Sequence, residues 1–157
     1  MTNFQTINGT VVQDFAHRTL ANLEFIEAYK DNRNVYEVTQ LINSLLGLLV
    51  FPQERFWKRI KPVPLSELPW AEFHMRTGND RCTDLQQLVR YVRNSVSHFN
   101  VDFGRETGEI KQIEMWNYNP RTERVDWRAD ITVEGLRDFA YHFIHGVMDG
   151  SFLENDE

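Results

Sequence analysis

Hydrophobic residues recur every three to four positions in four segments of the chain, a pattern that predicts four amphipathic helices. These helices are predicted over about residues 10–30, 34–50, 83–98 and 132–149, after the candidate N-cap residues Thr10, Asn34, Thr83 and Thr132. The second half of the second helix, residues 41–49, is apolar nearly all round. Such a helix is typical of the interior of a bundle or of a subunit interface.

The pattern changes to a period of two between the third and fourth predicted helices. Residues 110–117 are strand-like, and residues 124–131 alternate apolar side chains with charged ones. The dipeptide Asn119-Pro120 lies in the predicted turn between them. We therefore predict a small antiparallel β-meander within residues 99–131.

Residues 51–81 show no sustained period and contain four prolines, at positions 52, 62, 64 and 69. Irregular connections of this length are uncommon in compact domains, so a short helix or a functional loop is expected there. The whole pattern predicts a mainly α fold in one domain over residues 1–157. Its expected architecture is an up-down four-helix bundle with a small antiparallel β-hairpin or meander inserted before the last helix.

Composition places the chain among soluble globular proteins. Hydrophobic residues make up 41% of its 157 positions, enough for one sizeable core. The single cysteine, Cys82, excludes an intrachain disulfide, and the longest apolar run, residues 45–51, is too short to span a membrane. We expect a cytoplasmic protein without membrane attachment. The formal net charge of −6 argues against broad, nonspecific coating of nucleic acid but leaves room for a local basic site.

The strongest candidate for chemistry is Arg93-Asn94-Ser95-Val96-Ser97-His98, at the end of the third predicted helix. We call these six residues the motif. Asn94 and His98 are four positions apart and share a helix face, and the long side chain of Arg93 can reach the same space. A guanidinium, an amide and an imidazole would thus converge at one helix end, which suits the handling of a phosphate.

Spacing alone does not establish this site. With thirteen Arg and five His in the chain, composition gives about 0.4 pairs in which a His follows an Arg by five positions. The chain has two such pairs, and the second runs from Arg137 to His142. A purely structural explanation is also open, in which Arg93 pairs with an acid and His98 caps the helix C-terminus.

The motif, followed by Phe99-Asn100, resembles the Arg-(Asn/Asp/His)-x-x-x-His motif of the HEPN superfamily. In many of those helical bundles the motif ends the penultimate long helix, a place that the motif occupies and the second Arg–His pair does not. The resemblance implies a metal-independent RNA endonuclease without a cofactor, common in toxin–antitoxin and defence systems. It also implies a homodimer that brings two motifs together.

The chemistry of the motif residues suits that reaction. Imidazole titrates near neutrality, so His98 could remove the proton of an RNA 2′-OH or protonate the leaving 5′-oxygen. Arg93 could clamp the phosphate, and Asn94 could orient His98 or the phosphate. The expected products are a 2′,3′-cyclic phosphate and a 5′-hydroxyl. One imidazole cannot conveniently serve both ends of the displacement.

Five further residues are candidate RNA contacts, each with a structural alternative. Arg90 lies one turn before Asn94, and Ser97 lies within the motif. The densest basic cluster consists of Lys58, Arg59 and Lys61, which would serve equally as ordinary surface cations.

Some features limit the resemblance. In the HEPN branch that is paired with a nucleotidyltransferase antitoxin, a Tyr follows the motif His by two positions, whereas this chain has Asn100, so an antitoxin of that kind is not predicted. His142 and His145 could share a helix face, but no third ligand is evident and no metal site is predicted.

Two other functions stay open: a noncatalytic HEPN-like module that binds RNA, nucleotide or protein, and a plain interaction protein.

Overall fold

A computed structural model describes residues 11–32, 36–50, 58–104 and 110–154. Within these ranges the chain forms four α-helices: α1 Val11–Ala28, α2 Glu37–Val50, α3 Leu85–Ser97 and α4 Val133–Met148. The same ranges hold four strands: β1 His74–Thr77, β2 Val101–Asp102, β3 Gln112–Asn119 and β4 Arg124–Thr132. The predicted cap residues Thr10 and Asn34 lie outside the described residues.

The strands form one four-stranded antiparallel sheet in the order β1-β4-β3-β2. The predicted mainly α bundle with a small β insertion before the last helix is therefore wrong. β1 comes from the proline-punctuated segment before α3, and β2 follows α3 directly. The sheet is assembled from three parts of the chain and forms a layer of its own, on which helices pack.

β1 is not predicted from the sequence because it is a short edge strand with little apolar content. Of its four residues only Met75 is partly buried, so no period of two is visible. Besides its antiparallel pairing with β4, the strand has an ionic contact: Arg76 lies 2.6 Å from the Asp130 carboxylate on β4. Asp130 is almost fully buried and faces Glu114 across the β3–β4 pair, and the two acids are paired with two cations: Arg76 with Asp130, and Arg128 with Glu114 at 2.6 Å.

The helices meet the inner face of the sheet around Trp127, which is fully buried. Tyr91 of α3 stacks on Trp127, with ring centroids 5.3 Å apart and planes at 3°. Phe73 contacts both Trp127 and Phe139 of α4, the latter edge-on at 5.2 Å. α3 is thereby held directly over the sheet, and the end of α3 is where the motif lies.

The apolar second helix contributes to this core. Leu41, Ile42 and Leu45 are buried within the chain, where α2 packs against α1 and α3. None of the helices in the described ranges combines the length and hydropathy needed to cross a membrane.

The ends of the last two helices follow local capping rules. Thr132 accepts a hydrogen bond from Gly135 N at 3.0 Å, and Gly150 has a φ of +77° after α4, so both predicted ends of this helix are confirmed. The cap of α3 is Asp84 rather than the predicted Thr83. Its carboxylate accepts from Gln87 N at 2.9 Å, while the Gln87 side chain accepts from Thr83 N.

Candidate functional site

The chain reverses sharply at the end of the motif. His98 is the C-cap residue of α3, Phe99 N donates to Val96 O at 3.1 Å, and Asn100 N donates to Ser95 O at 2.7 Å. This is a Schellman ending, in which glycine usually occupies the left-handed position. Here Phe99 holds that position with a φ of +55°, at a cost of about 1–2 kcal/mol, and its side chain is 77% exposed. An exposed aromatic ring therefore adjoins the motif histidine.

Ser95 locks this end of α3 onto the sheet. The residue is fully buried, and its hydroxyl lies 2.8 Å from the carbonyl oxygens of both Tyr91 and Trp116. Trp116 N in turn donates to Asn100 O at 3.1 Å, just beyond the helix. The helix end and the following turn are thus fastened to β3, which makes Ser95 a structural residue.

A chain of side-chain hydrogen bonds links the motif to the sheet. Asn94 Nδ2 donates to Asn117 Oδ1 at 3.1 Å, and Asn117 Nδ2 donates to Asp126 Oδ1 at 2.6 Å. Asn119 Nδ2 donates to the other oxygen of Asp126, at 3.1 Å. We call Asn94, Asn117, Asn119 and Asp126 the amide network. Arg93 Nη2 lies at its outer end, 3.4 Å from Asn94 Oδ1.

The carboxylate sets the direction of every bond in the amide network. An ionised carboxylate only accepts, so Asn117 must turn its NH₂ group toward Asp126 and its oxygen toward Asn94. Asn94 must then present its NH₂ group to Asn117, which leaves Asn94 Oδ1 facing Arg93. A sheet residue thereby fixes the amide orientation of a motif residue and, through it, a contact of the motif guanidinium.

A β-bulge places Asp126 in this network. Asn117 pairs with Trp127 and Tyr118 pairs with Val125, so Asp126 is the extra residue of β4. Strict alternation therefore does not apply at Asp126, whose carboxylate contacts Asn117. The neighbouring turn supports the bulge closely: a Cβ on Gly78, whose φ is +83°, would lie 2.5 Å from Asp126 O.

The side chains at the two ends of the motif, Arg93 and His98, have no acidic partner among the described residues. His98 is exposed, and no described residue hydrogen-bonds to its imidazole or pairs with it. Arg93 is half-buried and forms no ion pair with a carboxylate in the described ranges. The acid partner that a structural explanation of Arg93 requires is therefore not found there, and His98 caps α3 through its backbone rather than its ring.

The second Arg–His pair is engaged in the fold instead. Arg137 lies between Glu27, at 3.3 Å, and Glu37, and joins α4 to α1 and α2. His142 stacks on Trp70, with centroids 5.2 Å apart and planes at 13°. Both side chains of this pair have structural partners. The described residues also hold no cluster of three His, Cys, Asp or Glu side chains that could bind a metal.

The structure separates the supporting candidates into two groups. Arg90 is exposed one turn before Asn94, and Ser97 is exposed beside His98, with its hydroxyl donating to Arg93 O at 2.7 Å. These two residues lie with the motif.

The cluster of Lys58, Arg59 and Lys61 lies at the opposite end of α3. Gln86, in the first turn of that helix, donates to Ile60 O at 2.8 Å. At 1.5 Å per residue, the motif histidine is about 18 Å further along the helix axis. Lys61 Nζ also donates to Ser151 O at 3.1 Å. The structure therefore does not bring this cluster to the motif, and its contact with RNA stays a prediction.

A module whose penultimate described helix ends in Arg-Asn-x-x-x-His, with no described carboxylate paired to the Arg or the His, has the features of a HEPN protein. A family model described as HEPN pEK499 p136 matches residues 1–151. The chain belongs to this HEPN family, and the resemblance seen in the motif is confirmed. The matched region includes all four strands of the described residues. No curated protein and no solved structure matches the chain significantly.

Proposed function

We propose that this HEPN module is a metal-independent endoribonuclease whose reacting groups are Arg93, Asn94 and His98. One observation carries the proposal: the two Arg–His pairs of the chain differ in the side chains that contact them. Arg137 and His142 are held by acids and by a tryptophan, whereas Arg93 and His98 have no such partners in the described ranges. The pair without these partners is the one that a ligand can complete.

The proposed reaction is an internal displacement at phosphorus. The RNA 2′-OH loses its proton to an imidazole, its oxygen bonds to the adjacent phosphorus, and the bond from phosphorus to the 5′-oxygen breaks. A second imidazole protonates that leaving oxygen. Arg93 stabilises the charge that develops on the nonbridging oxygens, and Asn94 Oδ1 helps to hold the guanidinium in place. The products carry a 2′,3′-cyclic phosphate and a 5′-hydroxyl.

Two imidazoles require two chains, because each chain contributes one motif. We therefore propose a homodimer in which the motifs face each other and form one composite site. The exposed ring of Phe99 adjoins His98 and offers a surface for base stacking in that site. α2, an initial candidate for the contact, has Leu41, Ile42 and Leu45 buried in the chain's own core, which leaves the end of α3 as the better candidate.

A panel of variants tests the assignment. Purified protein is incubated with a mixed-sequence RNA in EDTA, and Arg93→Ala and His98→Ala are expected to abolish cleavage while the fold and the dimer persist. The matched controls are Arg121→Ala and His17→Ala, because both residues are exposed and lie outside the motif. Cleavage by His98→Ala at the wild-type rate would overturn the proposal. Tight RNA binding without cleavage would favour a noncatalytic module instead.

Mixing the two forms tests the composite site. When wild-type and His98→Ala chains exchange freely at equal amounts, about one quarter of the dimers keep two intact motifs. Activity is then expected to fall to about one quarter of that of pure wild type at the same total protein, and to about one half if each chain cleaves alone.

A toxin, defence or stress role is proposed on the HEPN resemblance. Induced expression of the wild-type chain is expected to arrest growth and to fragment cellular RNA, and His98→Ala is expected to do neither. Equal arrest by both forms would separate toxicity from cleavage.

A further inference from the structure

A cleft of about 460 Å³ opens between the turn after β1 and the β3–β4 hairpin. Its polar walls consist of Thr77, Asp80, Arg81, Thr122, Arg124 and Asp126. The volume falls within the ~300–1,000 Å³ typical of small-ligand sites. Gly78 holds the turn against the backbone of Asp126, so this wall is fixed by close packing.

Two arginines in the cleft have exposed guanidinium groups that could bind an anion. Arg81 and Arg124 are both exposed, and neither guanidinium forms an ion pair or hydrogen bond with another described residue. Two carboxylates oppose them. Asp80 is exposed, while Asp126 already accepts from the amides of Asn117 and Asn119. The cleft therefore offers cations for an anionic group and carboxylate oxygens for N–H donors, a combination that matches a nucleotide.

Hydrogen bonds link the cleft to the motif, because Asp126 belongs both to the wall of the cleft and to the amide network. Tyr91 lies one turn before Asn94. Burial and then the charge of Asp126 raise the pKa of Tyr91, and Arg90 and Arg81 act in the opposite direction.

We propose that the cleft is a nucleotide subsite that holds an RNA nucleotide flanking the cleaved bond. The guanidiniums of Arg81 and Arg124 bind its phosphate, and Asp80 and Asp126 accept from N–H groups of its base. The subsite rests on the proposed function, because RNA is the substrate that it would share with the motif.

The test measures binding and turnover separately. Binding of a short fluorescently labelled RNA is followed by anisotropy in the His98→Ala background, which prevents cleavage. Arg81→Ala and Arg124→Ala are each expected to raise Kd about threefold to tenfold and to lower the salt slope of log Kd by about 1. Arg121→Ala, an exposed arginine of the same hairpin outside the cleft, is the matched control. In the otherwise wild-type chain, the two cleft variants should raise KM and leave kcat unchanged.

The outcomes separate the subsite from the proposed function. A double variant, Arg81→Ala with Arg124→Ala, that binds RNA with wild-type affinity and salt slope overturns the subsite, even if the wild type cleaves RNA. If the wild-type chain never cleaves RNA but both cleft substitutions weaken its RNA binding, the subsite is supported and the proposed ribonuclease function is overturned. Equal weakening by Arg121→Ala overturns the subsite in favour of general surface charge.

Discussion

Asn94 Nδ2 donates a hydrogen bond to Asn117 Oδ1 across 3.1 Å, and this contact joins the motif helix to the centre of the sheet. Asn117 has no freedom to reverse its amide, because Asp126 accepts from its nitrogen at 2.6 Å. The orientation of a motif side chain is therefore set by a strand that follows it in sequence. In this HEPN module the sheet positions the site as well as covering the core.

Asn117→Ala tests that relationship. The substitution removes the acceptor of Asn94 and a donor to Asp126, so kcat should fall about tenfold to a hundredfold because the motif is misplaced, while KM changes little. Urea denaturation should show that the free energy of unfolding falls by about 1–3 kcal/mol, because the substitution leaves buried polar groups unpaired. Asn119→Ala is the control, since it removes a bond to Asp126 without touching Asn94. Unchanged kcat in folded Asn117→Ala would remove Asn117 from the site.

The two Arg–His pairs should respond oppositely to the same substitution. Arg137→Ala leaves Glu27 and Glu37 without their cation and should lower the free energy of unfolding by about 1–2 kcal/mol, with cleavage per folded molecule retained. Arg93→Ala should change stability by less than about 0.5 kcal/mol and abolish cleavage. Urea denaturation and a cleavage assay on the same preparations measure both. A large loss of stability in Arg93→Ala would reveal a structural partner for that guanidinium.

Cys82 gives a prediction for pH. Burial raises the pKa of its thiol to about 12, from an ordinary value of 9.0. The folded state therefore keeps the proton that the unfolded state loses, so this group's contribution to stability falls as pH rises from about 9 toward 12. Cys82→Ala should lose that part of the alkaline destabilisation. At pH 8 a thiol reagent should label the native protein far more slowly than the urea-unfolded one, and fast native labelling would contradict the burial of the thiol.

Phe99→Gly should stabilise the protein. Glycine avoids the cost of the left-handed backbone after His98 but adds freedom to the unfolded chain, so the expected net gain is about 0.5–1 kcal/mol. Phe99→Ala is the comparison, since it removes the ring and keeps the strained conformation. Urea midpoints of the three proteins measure the difference, and equal stability of the Gly and Ala variants would count against strain at this position.

Local patterns account for the helices. The Thr132 cap and the Gly150 stop are set by neighbouring residues, and both could be predicted from sequence. The start of α3 could not be placed to the residue, because Thr83 and Asp84 are both good caps. β1 could not be predicted, because Arg76 contacts Asp130, which is 54 positions away, and no local period indicates such a contact.

The candidate site also has a part that could be predicted from sequence and a part that could not. Helical spacing predicts that Arg93, Asn94 and His98 converge, and the structure shows the contact of Arg93 with Asn94. The amide network could not be predicted, because Asn117 lies 23 positions from Asn94 and depends on strand pairing. The place of Asp126 in the network could not be predicted either, because it depends on the bulge in β4. An asparagine pair on a strand that follows the motif is the one signal that could have suggested it.

The most direct test of the central claim is the end chemistry of RNA cut by the purified chain in EDTA. Mass spectrometry of the fragments should show 2′,3′-cyclic phosphate and 5′-hydroxyl ends with wild type and with His17→Ala, and intact RNA with His98→Ala. Fragments with 5′-phosphate ends, or the same cyclic ends from His98→Ala, would contradict the assignment of the motif as the site of cleavage.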